Sequence, residues 1–188
     1  MDLVYDVQWA KKAGCKVIGT CSSDEKVEFL KGIGCDRPIN YKKENMKDIL
    51  KSEFPNGVDV VYESVGGEMF ETCVDSLAVK GRLIIIGYIS QYTGENKLLE
   101  VKPDLPRKLL TKSANIGGFF MPHYMNLIPE YVKKLVTMKL QNEIESSVDQ
   151  GINAPSKFVG IDKLVDAVEY MYSGKSRGKV VVELNPSS

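Results

Sequence analysis

The chain has 188 residues, enough for one domain or one and part of another, and its 43% hydrophobic and 27% charged residues suit a soluble globule. Its 25 basic and 25 acidic residues cancel, so no excess positive charge is on hand for a nucleic acid. No apolar run reaches the roughly 20 residues of a membrane span. No basic-then-apolar leader opens the chain, and no Ser-Lys-Leu or retention signal closes it, so the expected compartment is the cytoplasm.

Apolar spacing predicts a first helix over residues 1–13, with Leu3, Val7 and Ala10 on one face, Asp2 as its cap and Gly14 as its stop. Val17 to Thr20 reads as a buried strand. Ser22 and Glu25 then have capping-box spacing, so a helix from Asp24 to Ile33 is expected to start on Ser22, with Val27, Phe29 and Leu30 turned inward. Two hydroxyls and the Lys26 ammonium at a helix N-terminus suit a phosphate; they equally suit a capped surface helix with a solvated lysine.

Arg37 to Tyr41 is a short extended piece, which Pro38 confines to a sheet edge. Met46 to Phe54 is an amphipathic helix closed by Pro55-Asn56-Gly57. Val58 to Glu63 is a strand, and Met69 to Leu77 a helix with Met69, Phe70, Cys73, Val74 and Leu77 at helical spacing. Gly81 to Gly87 is an unbroken apolar strand, which implies burial on both faces. A polar loop from Ser90 to Asp104 precedes a strand from Ser113 to Phe120. A helix follows from Ile128 to Met138, then a short strand from Ile144 to Asp149. A helix from Ile161 to Tyr172 turns Leu164, Val165, Val168 and Met171 inward, and a last strand runs from Lys179 to Leu184. Helices of about ten residues alternating with such strands signify βαβ units: an α/β fold with a Rossmann-like, doubly wound parallel sheet.

Ligands of such sheets sit at the C-terminal ends of the strands. The loops there are Cys21-Ser22-Ser23, Ser64-Val65-Gly66-Gly67, Gly87-Tyr88-Ile89-Ser90 and Gly118-Phe119-Phe120, three of them with glycine that lets the backbone approach a ligand. An acidic residue after the second strand would select NAD. Here that position holds Ser22 and Ser23, with Lys26 and Tyr41 placed to close on an extra phosphate, so the pattern favours NADP. A methyltransferase on a similar sheet would also want the missing acid.

The four cysteines make no Cys-x-x-Cys pair, and with the lone His123 they supply neither ligands nor spacing for zinc, so no metal is expected. Gly174-Lys175-Ser176 lacks the upstream glycine of a Walker loop. The basic turn of Lys175, Ser176, Arg177 and Lys179 suits either a solvated turn or a cofactor phosphate.

Several stretches resemble the medium-chain dehydrogenase/reductase superfamily, in its zinc-free quinone-reductase and prostaglandin-reductase branch. They are Val17 to Lys26, Gly34 to Tyr41, Gly-Val-Asp-Val-Val-Tyr-Glu-Ser-Val-Gly-Gly at 57–67, Lys80 to Gly87, and Gly178 to Glu183. The resemblance implies an NADPH-dependent reductase of activated carbon–carbon double bonds, such as enones of the 15-oxoprostaglandin type, with hydride delivered to the β-carbon. It implies a homodimer acting on a small molecule, in the cytoplasm, a peroxisome or a mitochondrion. By position, Ser22, Lys26 and Tyr41 resemble the adenosine-phosphate site, and Ser64 and Ile86 would line the dinucleotide. Phe119, Phe120 and Met121 would back the nicotinamide, and Ser176 would touch the cofactor from the tail turn. Tyr92 would meet the nicotinamide ribose and polarise the substrate carbonyl.

The implied domains are residues 1–140 for NADP binding and 141–188 as the C-terminal part of the substrate domain. The chain departs from the family by joining its pattern only at Val7, behind the first strand and its Gly-rich phosphate turn. That would leave two groups of parallel strands with unpaired inner edges, at about 1–3 kcal/mol for each buried unpaired backbone group, so either the edges pair some other way, another chain fills the gap, or the sheet closes across it. Alone, the chain is expected to be weakly active or inactive. The alternative is a non-catalytic remnant serving as a protein-interaction or dimerisation module.

Overall fold

A computed structural model describes residues 3–91 and 102–184, and the chain falls into two compact units. One joins the N-terminal stretch through Lys43 to the C-terminal stretch from Glu130, and the other is the segment Glu44–Pro129 between them.

In the first unit, α1 (Leu3–Lys12) buries Val4, Val7 and Gln8. A buried amide needs partners on both its ends. Gln8 donates to the Val4 and Glu145 carbonyls at 2.8 and 3.0 Å and accepts from the Glu145 N–H at 2.6 Å, which pins the chain at 145 to this helix. Next come β1 (Ile18–Cys21), α2 (Asp24–Gly32) and β2 (Arg37–Asn40). The strands pair in parallel from Ile18↔Arg37 to Cys21↔Asn40. Cys21, Leu30, Ile33 and Cys35 complete the core begun by Val4 and Val7.

Helix α6 (Ile128–Leu140) leads into the C-terminal part of this unit, which carries β6 (Val148–Asp149), α7 (Leu164–Tyr172) and β7 (Lys179–Val180), with β6 and β7 parallel. Both strands are shorter than expected. The Asp149 carboxylate turns the chain at 151–152, and beyond Val180 the backbone changes partner, so that the Glu183 N–H donates to the Phe158 carbonyl at 3.0 Å. Helix α7 starts three residues late, after a 3-10 turn at Ile161–Lys163, and its buried face is not the expected one. Ala167 and Tyr170 are buried against Phe158, whereas Leu164, Val165, Val168 and Met171 are exposed. The small local core selects the face that fits Phe158 rather than the more apolar stripe.

In the second unit, α3 (Met46–Glu53) is capped by Asn45, whose side chain accepts from Lys47 and Asp48 N–H groups at 3.0 and 3.2 Å. Then follow β3 (Val58–Glu63), α4 (Gly67–Asp75), β4 (Leu77–Ile85), α5 (Leu105–Lys112) and β5 (Asn115–Gly118). The sheet order is β3-β4-β5, every pair parallel, with Val61 opposite Leu83 and Leu83 opposite Ile116. Cys73, Val74, Leu77 and Leu83 form its core, so Leu77 packs where helical spacing put it although it opens β4 rather than closing α4. Helix α5 has no counterpart in the sequence reading; Pro106 stands in its first turn, where a missing N–H costs nothing. The burial on both faces expected of Gly81 to Gly87 is met on one face only: Leu83 is buried, whereas on the other face Arg82 is exposed and Ile84 and Ile86 are half-buried; in β3, Val60 and Tyr62 on one face are 48% and 45% exposed.

The described strands thus form three separate parallel sheets interleaved with helices, the α/β organisation the alternation implied. No helix among the described residues is long and apolar enough to cross a membrane.

Candidate functional site

A concave surface rich in charge lies in the first unit, where β1 gives way to α2. The strand ends at Cys21 and Ser22 follows as a bend. Ser23, one residue later than the capping-box spacing suggested, is the N-cap: its backbone is extended and its Oγ accepts from the Lys26 N–H at 3.3 Å. The β1–β2 pairing runs through Cys21, one residue beyond Thr20, and the helix start moves by the same step. This cap fixes the first turn of α2 and places Lys26 on it. The Lys26 ammonium donates to the Gly174 carbonyl at 2.7 Å, and burial pulls its pKa below the ordinary 10.5.

Of the two acids in that first turn, Glu25 faces the same space and Asp24 does not. Asp24 accepts from the Asn40 amide at 2.8 Å and pairs with Lys43, contacts that hold its carboxyl below the ordinary 3.8. Glu25 meets Arg177 at 3.5 Å, and the Arg177 guanidinium also stands 5.5 Å from the centre of the Phe29 ring.

Ser22, Ser23, Glu25, Lys26, Gly174 and Arg177 line a cavity of about 330 Å³, together with Lys42, Asn153, Ser173 and Lys175. Ser22 and Ser23 supply hydroxyls, and Asn153 an amide. Lys26, Lys42, Lys175 and Arg177 supply four cations against the single carboxylate of Glu25. Such a wall matches a compact dianion: several N–H and O–H donors and a local excess of positive charge.

Ser22 and Lys26 therefore meet in one cavity. Tyr41 is not among the residues that line it; it follows β2, is 49% exposed, and its N–H donates to the Cys21 carbonyl at 3.0 Å. Ser176 sits on the tail turn between two lining residues. Ser64, Ile86 and Phe119 belong to the second unit, where they follow β3, β4 and β5 and so share the C-terminal end of that sheet. Phe119 stacks on Tyr124 with ring centres 4.8 Å apart, Phe120 meets His123 edge-on at 5.3 Å, and Met121 is exposed. Tyr92 lies outside the described residues.

Sequence reasoning missed Lys42 and Asn153 as cavity residues, and it left Lys175 and Arg177 as an undecided basic turn. It also missed Glu63, buried at 3% exposure, whose Oε1 accepts from the Val65 and Gly66 N–H groups at 2.8 Å each and so shapes the loop after β3. An acid immediately before Ser-Val-Gly-Gly was the available signal.

Among the described residues no three His, Cys, Asp or Glu side chains come together in a way that could hold a metal ion. The cysteines behave as buried apolar groups except for Cys15, which is exposed. Burial, with the nearby Glu63 charge, pushes the Cys73 thiol up to about 12, and burial also raises Cys35. A disulfide reagent at pH 8 is therefore expected to modify Cys15 within minutes and the other three thiols only in denaturant. Rapid reaction of two or more native thiols would contradict the buried placement.

The fold is that of an α/β protein with parallel sheets, and comparison with known proteins makes the class specific. The profile of the zinc-binding dehydrogenase family matches residues 5–138, and the chain belongs to that family, within the medium-chain dehydrogenases/reductases. It is 52% identical to prostaglandin reductase-3 of Mus musculus over 96% of this chain and 48% of the relative. It is 33% identical to a 2-alkenal reductase (NADP(+)-dependent) of Nicotiana tabacum over 93% of this chain and 49% of the relative. The crystal structure of CurA in complex with NADPH from Vibrio vulnificus superposes with a TM-score of 0.81 at 29% identity, covering 96% of this chain and 52% of CurA. The likeness extends to a Rossmann-like fragment, and the chain spans about half the length of the curated relatives it matches. The family's name invokes zinc, but the described residues offer no donor set that fits it.

Proposed function

We propose that this chain is the cofactor-binding part of an NADPH-dependent reductase of activated carbon–carbon double bonds, with enones of the 15-oxoprostaglandin type as the substrate class. One observation carries the reading: four cations and three serines line the cavity at the start of α2, in a protein whose relatives include a 2-alkenal reductase (NADP(+)-dependent). In this reading residues 1–140 form the NADP-binding domain and residues 141–188 belong to the substrate domain.

NADPH fits that donor set at its 2′-phosphate. Lys26, Lys42, Lys175 and Arg177 neutralise the dianion, and the Ser22 and Ser23 hydroxyls donate to its oxygens. Ser23 can do so while capping α2, because the cap uses its oxygen as an acceptor and leaves its proton free. Asp24, held by Asn40 and Lys43, does not repel it from within the cavity. When bound, NADPH supplies the hydride; the chain's own part is to hold and orient the nucleotide. The glycine-bearing loop shaped by Glu63 and the aromatic segment from Phe119 are assigned to the nicotinamide half, and Tyr92 to polarising the substrate carbonyl.

The test is fluorescence titration of the full chain with NADPH and with NADH, followed by assay with an enone. Saturable binding with NADPH at least about tenfold tighter than NADH supports the reading. Equal affinities, or no binding at millimolar NADPH, would defeat it.

A further inference from the structure

One wall of the cavity is organised by a group that does not face it. Asp149, at the end of β6, is 0% exposed. A carboxylate removed from water persists only with partners for its oxygens, and Asp149 has four. Its Oδ1 accepts from the N–H groups of Gly151 and Ile152, both at 2.8 Å. Its Oδ2 accepts from the Arg177 N–H at 2.6 Å and from the Tyr170 hydroxyl at 2.9 Å. The Tyr170 oxygen accepts in turn from the Asn153 N–H at 3.2 Å. Burial pushes the Asp149 pKa up, but these bonds outweigh it and hold the group below the ordinary 3.8.

The bonds tie three pieces of chain to one point: the 151–153 turn, α7 through Tyr170, and the 173–177 turn through Arg177. Those turns carry Asn153, Lys175 and Arg177, which line the cavity. The Asn153 amide also donates to the Lys175 carbonyl at 3.2 Å, joining the two turns directly. Asp149 reaches the cavity through the Arg177 main chain and not through the guanidinium.

We propose that Asp149 and Tyr170 are positioning residues that set the selectivity of this cavity for a 2′-phosphorylated nucleotide, by fixing the backbone from which Asn153, Lys175 and Arg177 project. The proposal rests on the cavity being the phosphate site. It makes a prediction opposite in sign to that of charge alone. Asp149 is a negative charge that acts on Lys26, so its neutralisation, taken only as electrostatics, would tighten phosphate binding. As a positioning residue, its neutralisation loosens that binding: in Asp149→Asn the amide group confronts either the Arg177 N–H or the Gly151 and Ile152 N–H groups, donor against donor, and one turn is released.

The probes are 2′,5′-ADP and 5′-AMP, titrated by calorimetry into the full chain and its variants, with thermal unfolding recorded alongside. In Asp149→Asn the dissociation constant for 2′,5′-ADP is expected to rise about tenfold and that for 5′-AMP to change less than about twofold. Tyr170→Phe, which removes one donor and leaves the carboxylate, is expected to shift 2′,5′-ADP in the same direction by about threefold. It decides the matter if Asp149→Asn does not fold. Unchanged or tighter 2′,5′-ADP binding, or equal weakening of both nucleotides, overturns the proposal. If the unmodified chain shows no preference for 2′,5′-ADP over 5′-AMP, the cavity reading itself falls and takes this proposal with it. A preference that survives both substitutions removes only the role of Asp149 and Tyr170.

Discussion

Replacing Lys26 with methionine is expected to weaken 2′,5′-ADP binding by about 10- to 100-fold while leaving 5′-AMP within about twofold. Methionine keeps the length and packing of the side-chain stem, so the change isolates the ammonium. That ammonium donates to the Gly174 carbonyl at 2.7 Å and is partly withdrawn from water, as its lowered pKa reflects. A neutral carbonyl is a modest partner for such a cation, and a phosphate dianion a better one. A charge-assisted hydrogen bond at a desolvated site contributes about 1.5–3 kcal/mol, which is the stated range of affinity. Lys42, Lys175 and Arg177 remain in the variant, so some binding persists, and its salt dependence should be no steeper than in the parent, because one charge fewer meets the phosphate. Equal 2′,5′-ADP affinities for the variant and the parent chain would remove Lys26 from the site.

The second large effect concerns stability. Gly57, in the turn between α3 and β3, has φ +84°, and a Cβ there would stand 2.6 Å from the Ala78 nitrogen and 2.7 Å from its Cα. Both are backbone atoms of β4, which cannot rotate away as a side chain would. This is also where the β3–β4 ladder begins, with Val58 opposite Leu77 and the Val58 N–H bonded to the Ser76 carbonyl at 2.8 Å. Gly57→Ala must therefore bear the left-handed backbone penalty of about 1–2 kcal/mol and, in addition, about 1–3 kcal/mol for spreading a packed ladder. A loss of about 2–5 kcal/mol is expected in urea unfolding, with hydrogen exchange accelerated across β3, β4 and β5. Gly32→Ala is the control: Gly32 closes α2 with nothing within 4 Å of its would-be Cβ, and alanine there is expected to be neutral or stabilising by up to about 1 kcal/mol. Parent-like unfolding of Gly57→Ala would show that the turn adapts.

What could be read from the chain beforehand divides along physical lines. Strand β3 was legible to the residue because Val58 to Glu63 is an apolar run bounded by Gly57 and the Ser64-Val65-Gly66-Gly67 loop. Helix α5 was not, because Pro103 and Pro106 beside a polar stretch resemble a loop until a helix N-terminus makes Pro106 harmless. The inward face of α7 was assigned to the wrong residues because periodicity reports which side is apolar, and the small core around Phe158 instead takes Ala167 and Tyr170. Half of the candidate site followed from local rules, since Ser22, Ser23 and Lys26 sit at a strand-to-helix junction. The other half could not: Asn153, Lys175 and Arg177 reach the cavity through contacts more than a hundred residues distant in the chain, such as Lys26 with Gly174, 148 positions apart. Nothing in the neighbourhood of Asp149 announces that its carboxylate joins two turns and a helix.

The first unit is interrupted in sequence, with residues 44–129 intervening between its two parts. During synthesis on the ribosome, the intervening unit has all its own residues to hand while the outer one still lacks its C-terminal part. Ser22, Ser23 and Lys26 emerge well before residues 153–177, and until those follow their cavity lacks its second wall. If the cavity holds the nucleotide as proposed, a nascent polypeptide halted near Tyr172 would not engage it there, and cofactor capture would follow the folding of the intervening unit rather than precede it.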